Sequence, residues 1–467
     1  MIKNHVRYFP VACVILFLIH YDGHAGSRRL LAEKKLFRID STTIIQESLN
    51  ASPDARTVAY VGRTENAQFL VLQGKKLEEF EGVGMAGAVF SPDGKRVAYF
   101  VRDGYKYRVI VDAVGGKLYD GLGSAPVFSP DSKHLAYVAI IGEKQCVVVD
   151  NREQKLYDAI GVAGPLFSGN SKSIAYVAKA KEKYFVVKDG REGRRYESVG
   201  VRTVSLSQDG RRMAYVVGAG DSIFVVTDGI EHRKHRSNLE IAPTFSQNGK
   251  RLAFLAADGD KRYVVVDGRP TGVYELVAER SIRFSIDGKT VAFIAGENDW
   301  FFVVVNGKEQ ARYKSIGENT LTMNSTGNRV GYVAIKEGKR VVVVDGKEGA
   351  AYDAIPEGMP LLSPDGKHTA YFAQAKGKWH VVVDGKEEGE YESVRAGTLA
   401  FSAQGNHTSC VVTKGGKMIA VVDGMEGKAY DVILTKGVGK VVFDSATKFH
   451  YLAAKEHDVY VIEEEVK

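Results

Sequence analysis

"WHVVVDGKEEGEYESV" (residues 379–394) decides the fold. Val381, Val382 and Val383 are apolar at three successive positions, so this strand is built for burial on both faces. Asp384-Gly385 follows, a two-residue hairpin signal in which glycine accepts the positive φ of a tight turn. "GEYESV" then returns as the next strand. Upstream, "GMPLLS" (358–363) reads as a strand, "PDGK" as a turn, "HTAYFAQ" (368–374) as a second strand and "AKGK" as its exit turn.

The unit recurs along the chain. Its first anchor repeats at Ala51, Phe90, Phe128, Phe167, Leu206, Phe245, Phe284, Met323, Leu362, Phe401 and Phe443, in steps of 39 residues with one 38 and a last step of 42. A second column runs Phe80, Tyr119, Tyr157, Tyr196, His235, Tyr274, Tyr313, Tyr352, Tyr391 and Tyr430. No segment holds a sustained 3.6-residue period, so the chain reads as all-β. A sandwich sheet would show one wet face, and a parallel solenoid would lack two-residue hairpins, which join antiparallel neighbours. Four-stranded antiparallel sheets packed on a neighbour at each side make a β-propeller. The expected architecture is about 10–11 blades. Rings usually hold four to eight, which favours two rings over one large ring.

The motif F-S-P-D-G-K-x-x-A-Y followed by V-V-V-D-G resembles the repeat of TolB-like, WD-repeat-like propellers, over nearly the whole chain beyond the leader. The Trp-Asp dipeptide of WD repeats is absent. No α/β domain precedes the repeats, so the resemblance implies the fold and not a Tol–Pal role.

Residues 1–25 read as a signal peptide, with Lys3 and Arg7, an apolar Phe9–Ile19 and small residues up to Ala25. Eleven apolar residues fall short of the ~20 that span a bilayer. Residues 26–50 are a lead-in, with "FRIDSTTIIQE" (37–47) as the strand that completes the C-terminal blade. Residues 51–467 are the repeat array. The expected location is periplasmic or extracellular, with no membrane span after cleavage. A formal net charge of +7 among 26% charged residues of both signs does not suggest nucleic acid. Cys146 and Cys410, the cysteines beyond the leader, read as unbonded core residues.

The aspartates of the turns, Asp93, Asp131, Asp209, Asp287 and Asp365, alternate in their column with Asn170, Asn248, Thr326 and Gln404. Neutral turn-formers would spoil a metal site, so the column reads as architecture. Another column carries chemistry. Glu240, Glu279, Glu318 and Glu357 stand five residues before their anchors in four consecutive blades, where strand four hands over to the innermost strand. They form an arc at a channel mouth, with Arg202, Arg280 and Arg395 near in sequence. Neighbouring sheets stand ~10 Å apart, too far for four carboxylates to share one calcium ion. "EHRKHR" (231–236) breaks the GKEGxxYD pattern. His232, Arg233, Lys234, His235 and Arg236 read as an anion- or partner-binding edge.

No G-x-S-x-G, H-E-x-x-H, C-x-x-C or P-loop occurs, so no catalytic residue, cofactor or metal site is assigned. The reading is a non-catalytic exported scaffold that binds another protein or a cell-envelope component. The alternative is an enzyme or carbohydrate-binding protein with a pocket lined by the glutamate arc.

Overall fold

Asp189-Gly190 and Asp384-Gly385 adopt φ values of 51° and 77°, and 50° and 81°. Both central residues are left-handed, the type I′ geometry whose twist matches that of paired strands. Each hairpin joins the third and fourth strands of a blade. In blade nine the strands are Leu361–Leu362, Thr369–Ala375, Lys378–Val383 and Lys386–Tyr391, hydrogen-bonded in that order. The third strand is buried on both faces as its sequence requires: Phe302, Val303 and Val304 in blade seven are all inaccessible.

The computed structural model describes residues 17–19, 29–84, 87–236, 241–434 and 441–466. Over them the chain forms eleven such blades, all antiparallel, with blades five and six joined into one sheet by the pair Arg236↔Ala257. Helix is confined, among the described residues, to two single 3₁₀ turns, Gln46–Ser48 and Glu318–Thr320. The core is divided among the blade interfaces. Ala292, Ile294 and Val303 of blade seven, for example, pack on Tyr332, Ala334 and Val343 of blade eight. The second strands keep a small residue at the tightest approach, as at Ala98, Ala136 and Ala175, each fully buried.

The eleven blades close into one ring. The last blade uses Val432–Ile433 and Val442–Phe443, Lys448–Lys455 and Asp458–Val466. Its fourth strand is Arg29–Arg38, paired antiparallel from Arg29↔Val466 to Arg38↔Asp458. Blade eleven then packs on blade one through Leu434, Leu452, Val459 and Val461 against Ala51, Ala55 and Val58. Two expectations are corrected here. The repeats make one ring, because blade one packs on blade two at one side and on blade eleven at the other. The closing strand is Arg29–Arg38 rather than residues 37–47. Ile44 instead bridges to Gly62 inside blade one, which leaves "DSTTIIQE" no part in the last blade. Phe17–Ile19 pairs on the outside of the closing strand; the rest of the signal-like leader, and Ala25 with it, lies outside the described residues.

Strand direction places the turns. Strands one and three run the same way, so the Pro-Asp-Gly turns and the Asp-Gly hairpins share one face of the ring. A contact of 2.9 Å between Arg96 of the first turn and Asp112 of the second confirms it. The second-to-third-strand turns and the blade crossovers share the other face, where the Asp120 carboxylate accepts from the Gly142 N–H at 2.7 Å.

Cys146 lies on a third strand and Cys410 on a second strand, both buried and unbonded. Burial pushes the Cys146 thiol up to about 11. A reducing agent should leave the melting temperature unchanged, and a thiol reagent should label neither residue before unfolding. A drop of several degrees on reduction would contradict this placement.

Candidate binding site on the lumen wall

First strands of successive blades lie within 8 Å of one another at Cα, as Ser205–Leu206 does to Thr244–Phe245. They are stitched together: Asn50 donates to the Ala88 carbonyl at 3.1 Å, and Ser205 Oγ to the Pro243 carbonyl at 2.6 Å. First strands therefore form the inner wall. Eleven strands at up to the sheet-packing distance of ~10 Å enclose a lumen on the order of 30 Å between backbones.

Where the inner strand is described throughout, as in blades five, seven, eight and ten, it is broken by a bulge. In blade seven the Ala278 N–H bonds to the Ile294 carbonyl at 2.9 Å, while Arg283 pairs with Ala292. Four residues, Glu279–Ile282, thus stand opposite Phe293 alone. The bulge is pinned by Ser281, whose hydroxyl donates to the Ala278 carbonyl at 2.7 Å and accepts from the Ile294 N–H at 2.9 Å. Thr203, Thr320 and Thr398 do the same in their blades. In these blades, and at Ser48 in blade one, the serine or threonine stands three residues before the anchor, a signal visible in the sequence but not used there. Neighbouring bulges touch: the Gly358 N–H bonds to the Asn319 carbonyl at 3.2 Å.

The structure places Glu279, Glu318 and Glu357 as the first residue of three successive bulges, each exposed. They line the wall rather than the mouth, because the handover from strand four occurs earlier, at Glu275, Lys314 and Asp353. Glu240 lies outside the described residues. Asn319 Nδ2 donates to Glu357 at 3.2 Å, tying two bulges of the arc. Among the described residues no group of three or more His, Cys, Asp or Glu is gathered to hold a metal ion. Arg283 turns its guanidinium back on the Arg280 and Ile282 carbonyls. Blade four is apolar at this wall: Val162 is 75% and Leu166 41% exposed. Leu166, Val204, Leu206, Pro243 and Phe245 line a shallow cleft across blades four to six. Changing all four glutamates to glutamine should move the melting temperature by less than about 2 °C, as exposed substitutions do. A calcium-dependent rise in the unaltered chain that vanishes in the variant would show a cation site instead.

"EHRKHR" forms the fourth strand of blade five within Ile230–Arg236, on the blade's outer edge. The structure does not bring it to the lumen. Glu231 accepts from the Tyr196 hydroxyl at 3.0 Å and pairs with Arg194 at 2.9 Å. The His232 ring lies 5.7 Å from that of Phe254 in blade six, and Arg236 donates to the Asp221 carbonyl at 2.7 Å. Three of the six residues are thus engaged in local structure, and the backbone of Arg233, Lys234 and His235 continues the edge strand.

The repeated motif that opens each blade is a latch. Asp93 accepts from the Ser91 hydroxyl at 2.6 Å and the Lys95 N–H at 3.1 Å, and its own N–H reaches Ser132 of the next blade. Gly94 has φ 73°, and a Cβ there would stand 2.4 Å from the Asp54 carboxylate of blade one, so both turn and neighbour demand glycine. Arg96, Arg212, Arg251 and Arg329 each reach two carbonyls in the turn of the following blade. The tyrosine column packs edge-on against the next blade, as Tyr119 does on Tyr137 with centroids 6.2 Å apart.

The Ser363 hydroxyl, then the Lys367 N–H, hold the Asp365 carboxyl at about 2. The same bonds lower Asp93, Asp131, Asp209 and Asp287, the serine hydroxyl leading each time. A depressed carboxylate stabilises the fold fully above its unfolded value near 4, and this is lost as pH falls through the folded value. The ring should therefore lose stability between about pH 4 and 2. Asp365→Asn should start lower and show a shallower loss over that window, read by thermal melts across pH. An unchanged slope would contradict the assignment.

No family model matches the chain, and no curated protein does. Among solved structures the chain is similar, at low identity, to the following. TolB from Acinetobacter baumannii is 16% identical over 48% of this chain and 61% of its own, with a TM-score of 0.26. A eukaryotic initiation factor is 12% identical over 72% of this chain and 96% of its own, TM-score 0.38. The Dos1 propeller is 9% identical over 73% and 92%, TM-score 0.32. Less than two thirds of the TolB chain is matched.

Proposed function

We propose that the chain is a non-catalytic, exported β-propeller that acts as a binding scaffold in the cell envelope, with the lumen wall as its binding surface. One observation carries the reading. The turns, tyrosines and arginines repeat from blade to blade and are engaged in holding blades together, whereas the bulges differ. Blades seven to nine present Glu279, Glu318 and Glu357, and blade four presents Val162 and Leu166. A wall that is acidic on one arc and apolar on another suits an extended protein segment carrying both basic and apolar side chains. The leader up to Ala25 supports export.

The test is cross-linking from a photoreactive residue placed at position 162 or 318, in cells. A discrete partner in the exported fraction, lost with Val162→Asp and Glu318→Lys together, supports the reading. Retention of the chain in the cytoplasm, or a partner captured equally by the altered ring, overturns it.

A further inference from the structure

The two faces of the ring use their cations differently. On the crossover face, lysines are paired with the acids that follow the tyrosines: Lys106 with Asp120, Lys339 with Asp353 and Lys417 with Asp431. On the turn face four hairpin acids are engaged by arginines instead. Asp112, Asp228, Asp267 and Asp345 bind Arg96, Arg212, Arg251 and Arg329, and the Pro-Asp-Gly aspartates bind their own turns. One exposed base stands on each turn in seven consecutive blades: Arg56, Arg211 and Lys289 reach a carboxylate, at 3.0, 3.8 and 3.8 Å, whereas Lys95, Lys133, Lys172 and Lys250 are left over. Among the described residues no carboxylate pairs with Lys95, Lys133, Lys172 or Lys250. A second, outer circle stands on the hairpins of the same face, at Arg152, Arg191, Arg269, Lys308, Lys347 and Lys386, all exposed.

Aliphatic tips stand among these bases. Val114 and Ile230 occupy hairpins of the outer circle and are 68% and 67% exposed; Ile286, at the tip of a Pro-Asp-Gly-type turn, is 58% exposed. We infer that the turn face docks on a bilayer surface rich in anionic lipid. Two concentric circles of bases meet a flat charged surface all at once, whereas a rod-like polyanion would touch only a chord. Exposed aliphatic tips gain from the acyl boundary and gain nothing from a sugar-phosphate backbone. This surface is separate from the lumen wall and stands or falls apart from it.

The test is co-sedimentation of the full-length chain with vesicles of phosphatidylcholine alone or with 30% phosphatidylglycerol. The neutral vesicles subtract any binding by the apolar Phe9–Ile19. Anionic vesicles should bind at least ~10-fold more protein, and the excess should fall at least ~10-fold between about 50 and 300 mM salt. Lys95→Glu, Lys133→Glu, Lys172→Glu and Lys250→Glu together should abolish it with the melt unchanged. The same charge change on the crossover face, at Lys181, Lys183, Lys376 and Lys378, should leave most of it. Should the turn-face variant fail to fold, Val114→Asp with Ile230→Asp and Ile286→Asp is the substitute, and it should weaken anionic binding. Equal binding to neutral vesicles, equal loss from both faces, or tighter retention by duplex DNA than by anionic vesicles overturns the proposal.

Discussion

A chain that begins at Ile39 should melt on the order of 10 °C lower and over a broader range than the full chain. It lacks Arg29–Arg38, so the last blade loses its fourth strand and the edge of Asp458–Val466 is left unpaired. Two ties across the closure go with it: the Tyr430 hydroxyl to Glu33, and Lys428 to Glu33 at 2.8 Å. In every other blade the fourth strand follows the third in the chain, so only here can it be removed without touching a hairpin. An open array of repeats has no closure to enforce one transition, and its blades then unfold in steps. Adding a peptide of residues 26–38 should restore the sharper, higher melt. If truncation leaves the calorimetric transition unchanged, the ring is not closed through this strand.

His450→Ala should cost about 3 kcal/mol, more than any other single histidine change in the ring. Second strands carry Ala, Gly or Ser at the tight approach beside the first strand, as Ala98 does opposite Val89. In blade eleven His450 holds that place opposite Val442 and is 1% exposed. Its Nδ1 stands 2.7 Å from an Asp444 carboxylate oxygen and its Nε2 2.7 Å from the Asp54 carbonyl of blade one. Removing the ring leaves a cavity at the closure and a buried carbonyl without its donor. His407, which pairs with Asp423 but is partly exposed, should cost no more than ~1 kcal/mol when changed to alanine. The measurement is denaturant unfolding of both variants. Equal effects would mean that the closure is not the tight interface described.

The blade was legible because its signals are local. Asp-Gly can hardly be anything but a hairpin between apolar runs, and the Val-Val-Val run excludes a wet face. The number of rings was not. It follows from the wedge angle between blades, set by how closely Ala98 or Ala136 and the tyrosines let sheets approach, and no period in the sequence encodes that angle. The closing strand was misplaced by about one strand length because "RLLAEKKLFR" and "FRIDSTTIIQE" are both plausible strands. What separates them is Ile44 docking on Gly62, a contact inside blade one. For the site, the sequence reading set the glutamate column at the mouth, whereas Glu279, Glu318 and Glu357 stand in bulges partway along the inner strands. The bulge that carries it depends on a buried hydroxyl such as Ser281 or Thr320, whose two bonds to backbone are visible only in three dimensions. "EHRKHR" stood out as a break in pattern, yet His232 and Arg236 are used for packing and for a turn. Composition could not reveal that.

Electron-microscopic class averages viewed down the ring axis test the central claim most directly. Eleven radial blades around one open lumen are the result expected. Two smaller rings side by side, or a crescent with a gap between the Asp54 and Asp444 turns, would contradict it.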